Sequence, residues 1–372
     1  MADSCNHVLT EPFWPRVSPS FARCRKAVRT MLAQLNDEFL LASAAASTKG
    51  TGTPPTLAVG LSGGADSLAL TAALAAETRG YADRDGYQPW QVTALCVDHQ
   101  LQKGSNEVAQ RAAQQARRWG LAAIVLPVDV DAADIANMGV EAAARRARYR
   151  GIASWAGSST PVCVAHTRND QAETLLLSSL RGHATGMSSS AEIEGVHIVR
   201  PFLHLSREDT RATCVELSIQ PWSDPHNDNR DFRRVAVRKE VLPLLENIHR
   251  GDVISPLSQA AADIAEDNEF IDHLLGDDAG YTDVLTCSEV AGHPGPLRRR
   301  LLVRWLQHHN VGFGRRGLGD IEKLCTDWHG QGGVAVGEPK NKANADPHRK
   351  KHTGRLEVQR IGGKLTLLRM RE

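Results

Sequence analysis

The sequence predicts an α/β protein: a doubly wound parallel sheet followed by a smaller α+β domain. Three observations carry that expectation. Between residues 57 and 218, runs of strand length alternate with helical patterns, which implies parallel strands covered by helices on both faces. The first strand-to-helix joint is a polar, glycine-rich turn of a kind that binds anions. After residue 247 the alternation stops, and long helices give way to short strands bounded by glycine.

The elements follow in order. Residues 1–20 read as a loosely structured lead-in and Phe21–Ala46 as a helix, so residues 1–50 form an N-terminal extension. STKGTGTPPT is a linker by composition. Leu57, Val59 and Leu61 end a buried strand, and Leu68, Leu70, Ala72, Ala73 and Leu74 begin a helix. QVTALCVDH precedes the helix SNEVAQRAAQQARRWG, and AAIVLPVDV precedes VEAAARRARYRGIASWA. PVCVAHT precedes DQAETLLLSSLRG, and GVHIVRPFL precedes SREDTRATCVELS. With the helix RVAVRKEVLPLLENI these make one domain, residues 51–247. Residues 248–372 form the second, with helices through PLSQAAADIAEDNEFIDHLLGD and PGPLRRRLLVRWLQHHNV. Its strands are GGVAVGE, GRLEVQR and GKLTLLRM, and PKNKANADPHRKKHTGR is a long loop between two of them.

Composition narrows the function classes. The 372 residues carry a formal net charge of +1, so any polyanion must be met by a local cluster of charge. The seven cysteines include no CxxC pair, which argues against a zinc ribbon and a cysteine-held iron–sulfur cluster. The N-terminus lacks the apolar core of a signal peptide, and no run is long enough to span a bilayer. A cytoplasmic protein without a membrane partner is expected, its oligomeric state open.

The chemistry starts at Ser62-Gly63-Gly64-Ala65-Asp66-Ser67. Two glycines let the backbone turn sharply and approach a ligand. The unpaired N–H groups and the dipole of the following helix attract an anion. The turn lacks the lysine of GxxxxGK[ST] and is shorter, which suits a pyrophosphate that leaves. Asp98-His99 and the stretch His166 to Glu173 also fall at carboxyl ends of strands, where ligands of such sheets sit. All three clusters therefore belong to one edge and one site.

These residues carry a family resemblance. The turn resembles the SGGxDS signature of the PP-loop ATP pyrophosphatases. CVDHQLQKGSNEVAQ, VEAAARRARY, AHTRNDQAETLLLSSLRG, IVRPFL and WSDPHNDNRDFRRVAVRKEVLPLLE resemble, in order, elements of the tRNA(Ile)-lysidine synthetases. The likeness covers residues 57 to 246. Three positions depart from it: Asn169 for the usual aspartate, His226 for serine and Val235 for asparagine.

The resemblance implies an adenine nucleotide α-hydrolase-like fold, and ATP with Mg²⁺. The partners it implies are free L-lysine and a tRNA(Ile) with a CAU anticodon. The wobble cytidine O2 attacks the α-phosphate, pyrophosphate leaves, and the ε-amine of lysine then displaces AMP at C2. Ser62, Gly63, Gly64, Ala65, Asp66 and Ser67 would bind ATP, Asp66 being the metal-linked carboxylate; it serves equally as a helix cap. Asp170 and Glu173, three apart on one helix face, would hold the lysine; an acidic first turn favoured by the dipole is the plainer account. His166 would orient a phosphate or move a proton, or simply pack. Arg145 and Arg148 share a helix face and would meet the α-phosphate or the tRNA backbone, with Arg145 assigned to catalysis and Arg148 to tRNA.

In the second domain Arg298, Arg299, Arg300 and Arg304, with Arg315 and Arg316 beyond them, are candidates for tRNA phosphates; a solvated helix face is the alternative. Lys340–Lys351 has the composition of a flexible insertion. Rival readings are a PP-loop enzyme that adenylates another tRNA base or a small molecule, and a non-catalytic nucleotide-binding module. The module would need neither Asp170 nor Glu173.

Overall fold

A strand buried on both faces must alternate its side chains between two cores. The strand β1 (Thr56–Gly60) does so: Leu57 and Val59 enter one core and Ala58 the other, all fully buried. The computed structural model describes residues 14–45, 55–79, 90–101, 104–224, 229–276, 278–337 and 355–370. Around β1 lie β2 (Gln91–Asp98), β3 (Ala122–Pro127), β4 (Val162–Cys163), β5 (Ser190–Ile193) and β6 (Val196–Val199), in the order β3-β2-β1-β4-β6-β5. Val59 is in register with Ala94 of β2 and with Cys163 of β4, both parallel. The edge strand β5 is the exception, since it runs antiparallel to β6 across the turn Glu194-Gly195. Both turn residues have positive φ, 51° and 75°, which is the two-residue hairpin geometry that matches strand twist.

On one face pack α1 (Pro19–Ala45), α2 (Ala65–Arg79), α3 (Ser105–Arg118) and α7 (Arg207–Glu216). Residues Leu68 to Ala76 of α2 are buried all round, as a helix of alanine and leucine must be when it lies between a sheet and further helices. On the other face Tyr149, Ile152 and Ala156 of α5 (Val140–Ala156) cover Leu95, Val162 and Ile198. A short helix α4 (Ala132–Met138), capped by Asp131 through the Ala133 N–H at 2.7 Å, precedes α5 in a segment to which the sequence pattern assigns no element. After β4 comes α6 (Arg168–Ser179).

The expected helix near 233–249 is α8 (Arg233–Ala236), a wider π turn at Val237–Val241, and α9 (Leu242–His249). Pro243 supplies the reason, because it cannot donate the helical hydrogen bond and its ring crowds the preceding turn.

The chain divides into two units: residues 1–177 with 186–262, and 178–185 with 263–372. The changeover falls inside α10 (Ile254–Leu275), whereas the sequence pattern predicts it at 247/248. The second unit contains β7 (Leu285–Thr286), α11 (Cys287–Gly292), α12 (Gly295–His308), α13 (Arg315–Thr326), β8 (Val334–Ala335), β9 (Arg355–Ile361) and β10 (Lys364–Met370). Its antiparallel sheet runs β7-β10-β9-β8. Leu301, Leu302 and Trp305 of α12 meet Ile321 and Leu324 of α13, with Val358 and Leu365 of the sheet, in a separate core. Lys340–Lys351, His226 and Cys5 lie outside the described residues; the six described cysteines are free and buried. No helix of the described residues is long and apolar enough to cross a membrane.

Candidate functional site: two charge clusters at the carboxyl edge of the sheet

The first site element is the turn after β1. The Leu61 N–H still reaches the Leu95 carbonyl at 2.9 Å, and then the chain leaves the sheet. Gly63 sits at φ +85°, a left-handed conformation in which any Cβ would be strained. Its carbonyl accepts the Trp222 N–H at 2.9 Å, which ties the segment after α7 to the turn. Ser67 braces the loop from inside: its hydroxyl donates to the Gly64 carbonyl at 3.0 Å and accepts the Ser62 N–H at 3.3 Å. The Ser62 hydroxyl lies 3.1 Å from it. The helix α2 opens at Ala65, so its first N–H groups lack partners within the helix and face the turn.

Asp66, in the first turn of α2, is held by the Thr210 hydroxyl at Oδ1, while Oδ2 stands 3.8 Å from Arg207 Nε. Burial raises its pKa, and Thr210 and Arg207 pull it back. Asp170 and Glu173 do share a face of α6, as the spacing predicts, and both are buried. The Asp170 carboxylate accepts the Thr167 N–H and hydroxyl, both at 2.8 Å, and Arg207 Nη2 at 3.0 Å. Burial pushes Asp170 up, but Arg207, His166 and Thr167 together hold it below the usual carboxylate range. Glu173, fully buried, meets Arg207 Nη1 at 3.3 Å, Arg238 Nε at 2.7 Å and Arg234 Nε at 3.5 Å. Asn169 Oδ1 accepts the Arg207 N–H at 2.9 Å, a role that needs only an acceptor oxygen. Val235 is buried at 7% exposure.

Near this acidic group lies a cationic one, and His166 feels charges of both. Arg145 and Arg148 are exposed on α5, with the Arg145 guanidinium 5.0 Å above the Tyr149 ring. Arg148 Nε donates to His99 Nε2 at 3.3 Å, which places the His99 ring proton on Nδ1, and that buried nitrogen has no partner among the described residues. The half-buried His166 likewise has an unpartnered, buried Nδ1. Burial and Arg148 lower His99 to a pKa of about 4. Burial, with Arg200 and Arg145 nearby, lowers His166 to about 4 despite Asp170. Arg200, directly after β6, is 5% exposed and donates to the Ser188 carbonyl at 2.7 Å, and its buried Nε is unpartnered. Among the described residues no carboxylate forms an ion pair with Arg145, Arg148 or Arg200. Asp98 instead accepts the Gln100 N–H at 3.0 Å and Asn106 Nδ2 at 3.4 Å. Such orphan donors at one sheet edge suit an anionic ligand.

The arginines of the second unit are mostly committed within it. Arg304 is 8% exposed, bonded to the Gly276 carbonyl at 2.5 Å and to Asp272 Oδ1 at 2.8 Å. It closes the end of α10 and is not on a solvent-facing surface, which corrects its assignment to RNA. Arg298 bonds Glu322 Oε1 at 2.8 Å and the His293 carbonyl at 3.0 Å. Arg300 pairs with Asp272 Oδ1 at 3.2 Å. Arg299 is freer: its side chain is 45% exposed and its one ion pair is long, 3.9 Å to Glu322. Arg315 and Arg316 are exposed in the first turn of α13, without an acidic partner among the described residues.

Sequence reasoning missed Arg207, Arg234, Arg238, Arg200 and Thr210. Each stood inside a quoted element, but the carboxylate partners of Arg207, Arg234, Arg238 and Thr210 lie 34 to 144 positions away, and Arg200 bonds a carbonyl 12 positions away. Only the folded chain shows those pairings.

A parallel sheet that sends SGGADS from its first strand into a buried helix, with convergent acidic and cationic groups at that edge, defines a PP-loop ATP-binding enzyme. A family model described as a PP-loop domain matches residues 36–245. The chain is 41% identical over 358 residues to the tRNA(Ile)-lysidine synthase of Corynebacterium glutamicum, covering 95% of this chain and 96% of that protein. It is 45% identical over 325 residues to that of Corynebacterium diphtheriae, covering 87% and 94%. It is 44% identical over 294 residues to that of Rhodococcus jostii, covering 76% and 83%. The chain belongs to the tRNA(Ile)-lysidine synthase family. It is a ligase that forms a C–N bond with ATP as a substrate, and the non-catalytic reading is set aside.

Proposed function

We propose that this enzyme joins free L-lysine to C2 of the wobble cytidine of a tRNA(Ile) with a CAU anticodon, acting in the cytoplasm. The observation that carries the reading is the meeting of the phosphate turn with Asp66, Asp170 and Glu173 at one sheet edge. The cytidine O2 attacks the α-phosphate of ATP, and pyrophosphate departs onto the N–H groups around Ser62–Ser67. The unpaired donors of the cationic group, with Arg145 and His166 nearest the reacting phosphate, stabilise charge that grows in the transition state. His166 is neutral near pH 7 and so offers one N–H and one lone pair. Lysine is held with one of its two amines near each of Asp170 and Glu173, and its ε-amine, after giving up a proton to water, displaces AMP at C2.

Mg²⁺ keeps much of its coordination on substrate phosphates and water and needs only one or two carboxylates. Asp66 fits that demand, with Oδ2 no closer than 3.8 Å to Arg207. The ion, when bound, neutralises charge on the phosphates. RNA phosphates are assigned to Arg148 in the first unit, and to Arg299 with Arg315 and Arg316 in the second. Arg298 and Arg300 contribute less, being paired already.

The test combines purified protein, ATP, Mg²⁺, labelled lysine and a CAU-anticodon tRNA(Ile) transcript. Label should enter the tRNA with AMP and pyrophosphate released, and Asp66→Ala should abolish AMP formation. ATP cleavage without label in the tRNA would overturn the reading, and normal AMP formation in the variant would remove Asp66 from the machinery.

A further inference from the structure

Arg207 occupies an unfavourable place for a cation. It is the first residue of α7, at the positive end of the helix dipole, and is only 9% exposed. The sequence fixes it there firmly. Ser206 caps α7 by accepting the Asp209 N–H at 3.1 Å, and Asp209 answers by accepting the Ser206 N–H at 2.9 Å. Asn169 holds the Arg207 N–H, and the Thr210 hydroxyl lies between the Arg207 carbonyl and Asp66. What offsets the location is the guanidinium's surroundings. Each of its three nitrogens faces a different carboxylate: Nε is 3.8 Å from Asp66, Nη2 3.0 Å from Asp170 and Nη1 3.3 Å from Glu173.

We propose that Arg207 is the positioning residue that gathers Asp66, Asp170 and Glu173 around one point and so sets how this site binds a primary amine. The inference rests on the reading above that Asp170 and Glu173 take the lysine. Three converging carboxylates repel one another, so a cation among them is needed to hold them at one point. The other charged groups around the cluster are Arg211 on α7, near Asp66, Arg234 and Arg238 in the 233–241 segment, and His166 ahead of α6. Arg234 meets Glu173, and Arg238 meets Glu173 with a longer contact of 3.9 Å to Asp170, so Arg207 alone among them reaches all three acids. Its planar fork matters as much as its charge, because a lysine ammonium is a point charge and cannot face three partners in the same geometry.

The experiment measures the KM for lysine and the KM for ATP in tRNA modification, each with the other substrates saturating, for wild type, Arg207→Met and Arg207→Lys. Without Arg207 the three carboxylates are no longer drawn to one point, and the amine loses its seat. The Arg207→Met enzyme should show a lysine KM raised at least about tenfold, well beyond any rise in the ATP KM. Arg207→Lys should show a smaller rise with the same split, and it carries the test alone if the methionine variant does not fold. A merely structural role predicts that both KM values move alike, or that only kcat falls. A lysine KM unchanged, or raised no more than the ATP KM, overturns the proposal. Asp170→Asn and Glu173→Gln are measured alongside. If neither raises the lysine KM, the reading of the amine site itself has failed; if they do and Arg207 variants do not, only the inference has.

Discussion

The two charge clusters at the sheet edge differ in how they are closed. On the α6 and α7 side every carboxylate meets an arginine, and Glu173 meets three. On the α5 side Arg145, Arg148 and Arg200 have no carboxylate partner among the described residues, and two histidines are kept neutral beside them. A closed network is part of the fold, and removing one member strands the others. An open one does little for the fold and leaves its donors to a ligand. The same edge thus holds one cluster closed on itself and one with donors left open.

Breaking the closed cluster should have the largest effect. Glu173→Gln leaves Arg207, Arg234 and Arg238 short of a counter-charge in a place Glu173 shares with no solvent. A loss of about 3 kcal/mol is expected, at the low end for broken buried pairs because Arg234 and Arg238 keep some contact with water. Arg145→Gln removes one of several like charges and should change stability by less than about 0.5 kcal/mol. Denaturant midpoints at constant slope measure both. Equal shifts would mean that the two clusters are not different in kind.

That difference also decides what the sequence could disclose. Strand-to-helix alternation, the Ser62–Ser67 turn and the acidic pair on α6 are local patterns, and all were legible. The edge strand β5 was not, because SAEI offers little apolar alternation and its pairing depends on the Glu194-Gly195 turn. The helix α4 was hidden because Gly139 both ends it and starts α5. The closing arginines were unreadable for another reason. Arg207 follows a capping serine and looks like any helix start, and only the fold brings it to Asp66, Asp170 and Glu173. Ion pairing over long sequence separation leaves no periodic trace.

The open cluster offers a subtler measurement. His99 and His166, ordinarily near 6.5, are held at about 4. Between those values the unfolded chain binds protons that the folded rings refuse, so their contribution makes the fold less stable as pH falls from 6.5 toward 4. An anion seated among them reverses part of that penalty by favouring the charged ring. Adding AMP, which carries the α-phosphate, should therefore raise both histidine pKa values by about one unit, worth about 1.4 kcal/mol each. Ring-proton NMR titrations with and without AMP report this directly. Unmoved histidines would show that the phosphate sits elsewhere, and that the unpaired arginines serve another purpose.

The same distinction sorts the second unit and yields the smallest expected effect. The four arginines of α12 look alike in sequence, yet Arg298, Arg300 and Arg304 are engaged by Glu322, Asp272 and backbone carbonyls. Arg299 is exposed over nearly half its side chain, and its one ion pair is the long contact to Glu322. A guanidinium already paired gives up its partner when it meets a phosphate and gains little, while a free one releases counterions and contributes to the salt dependence. Arg299→Gln should weaken tRNA binding modestly and lower the slope of log affinity against log salt by somewhat under one unit. Arg298→Gln should leave that slope nearly unchanged and lower the denaturant midpoint instead, since it breaks a link between α12 and α13. Filter-binding titrations of tRNA at several salt concentrations, with unfolding curves for both variants, test the pair together. If Arg298→Gln flattens the slope as much as Arg299→Gln does, internal pairing does not keep an arginine from RNA, and the closed and open clusters of the sheet edge lose their separate roles as well.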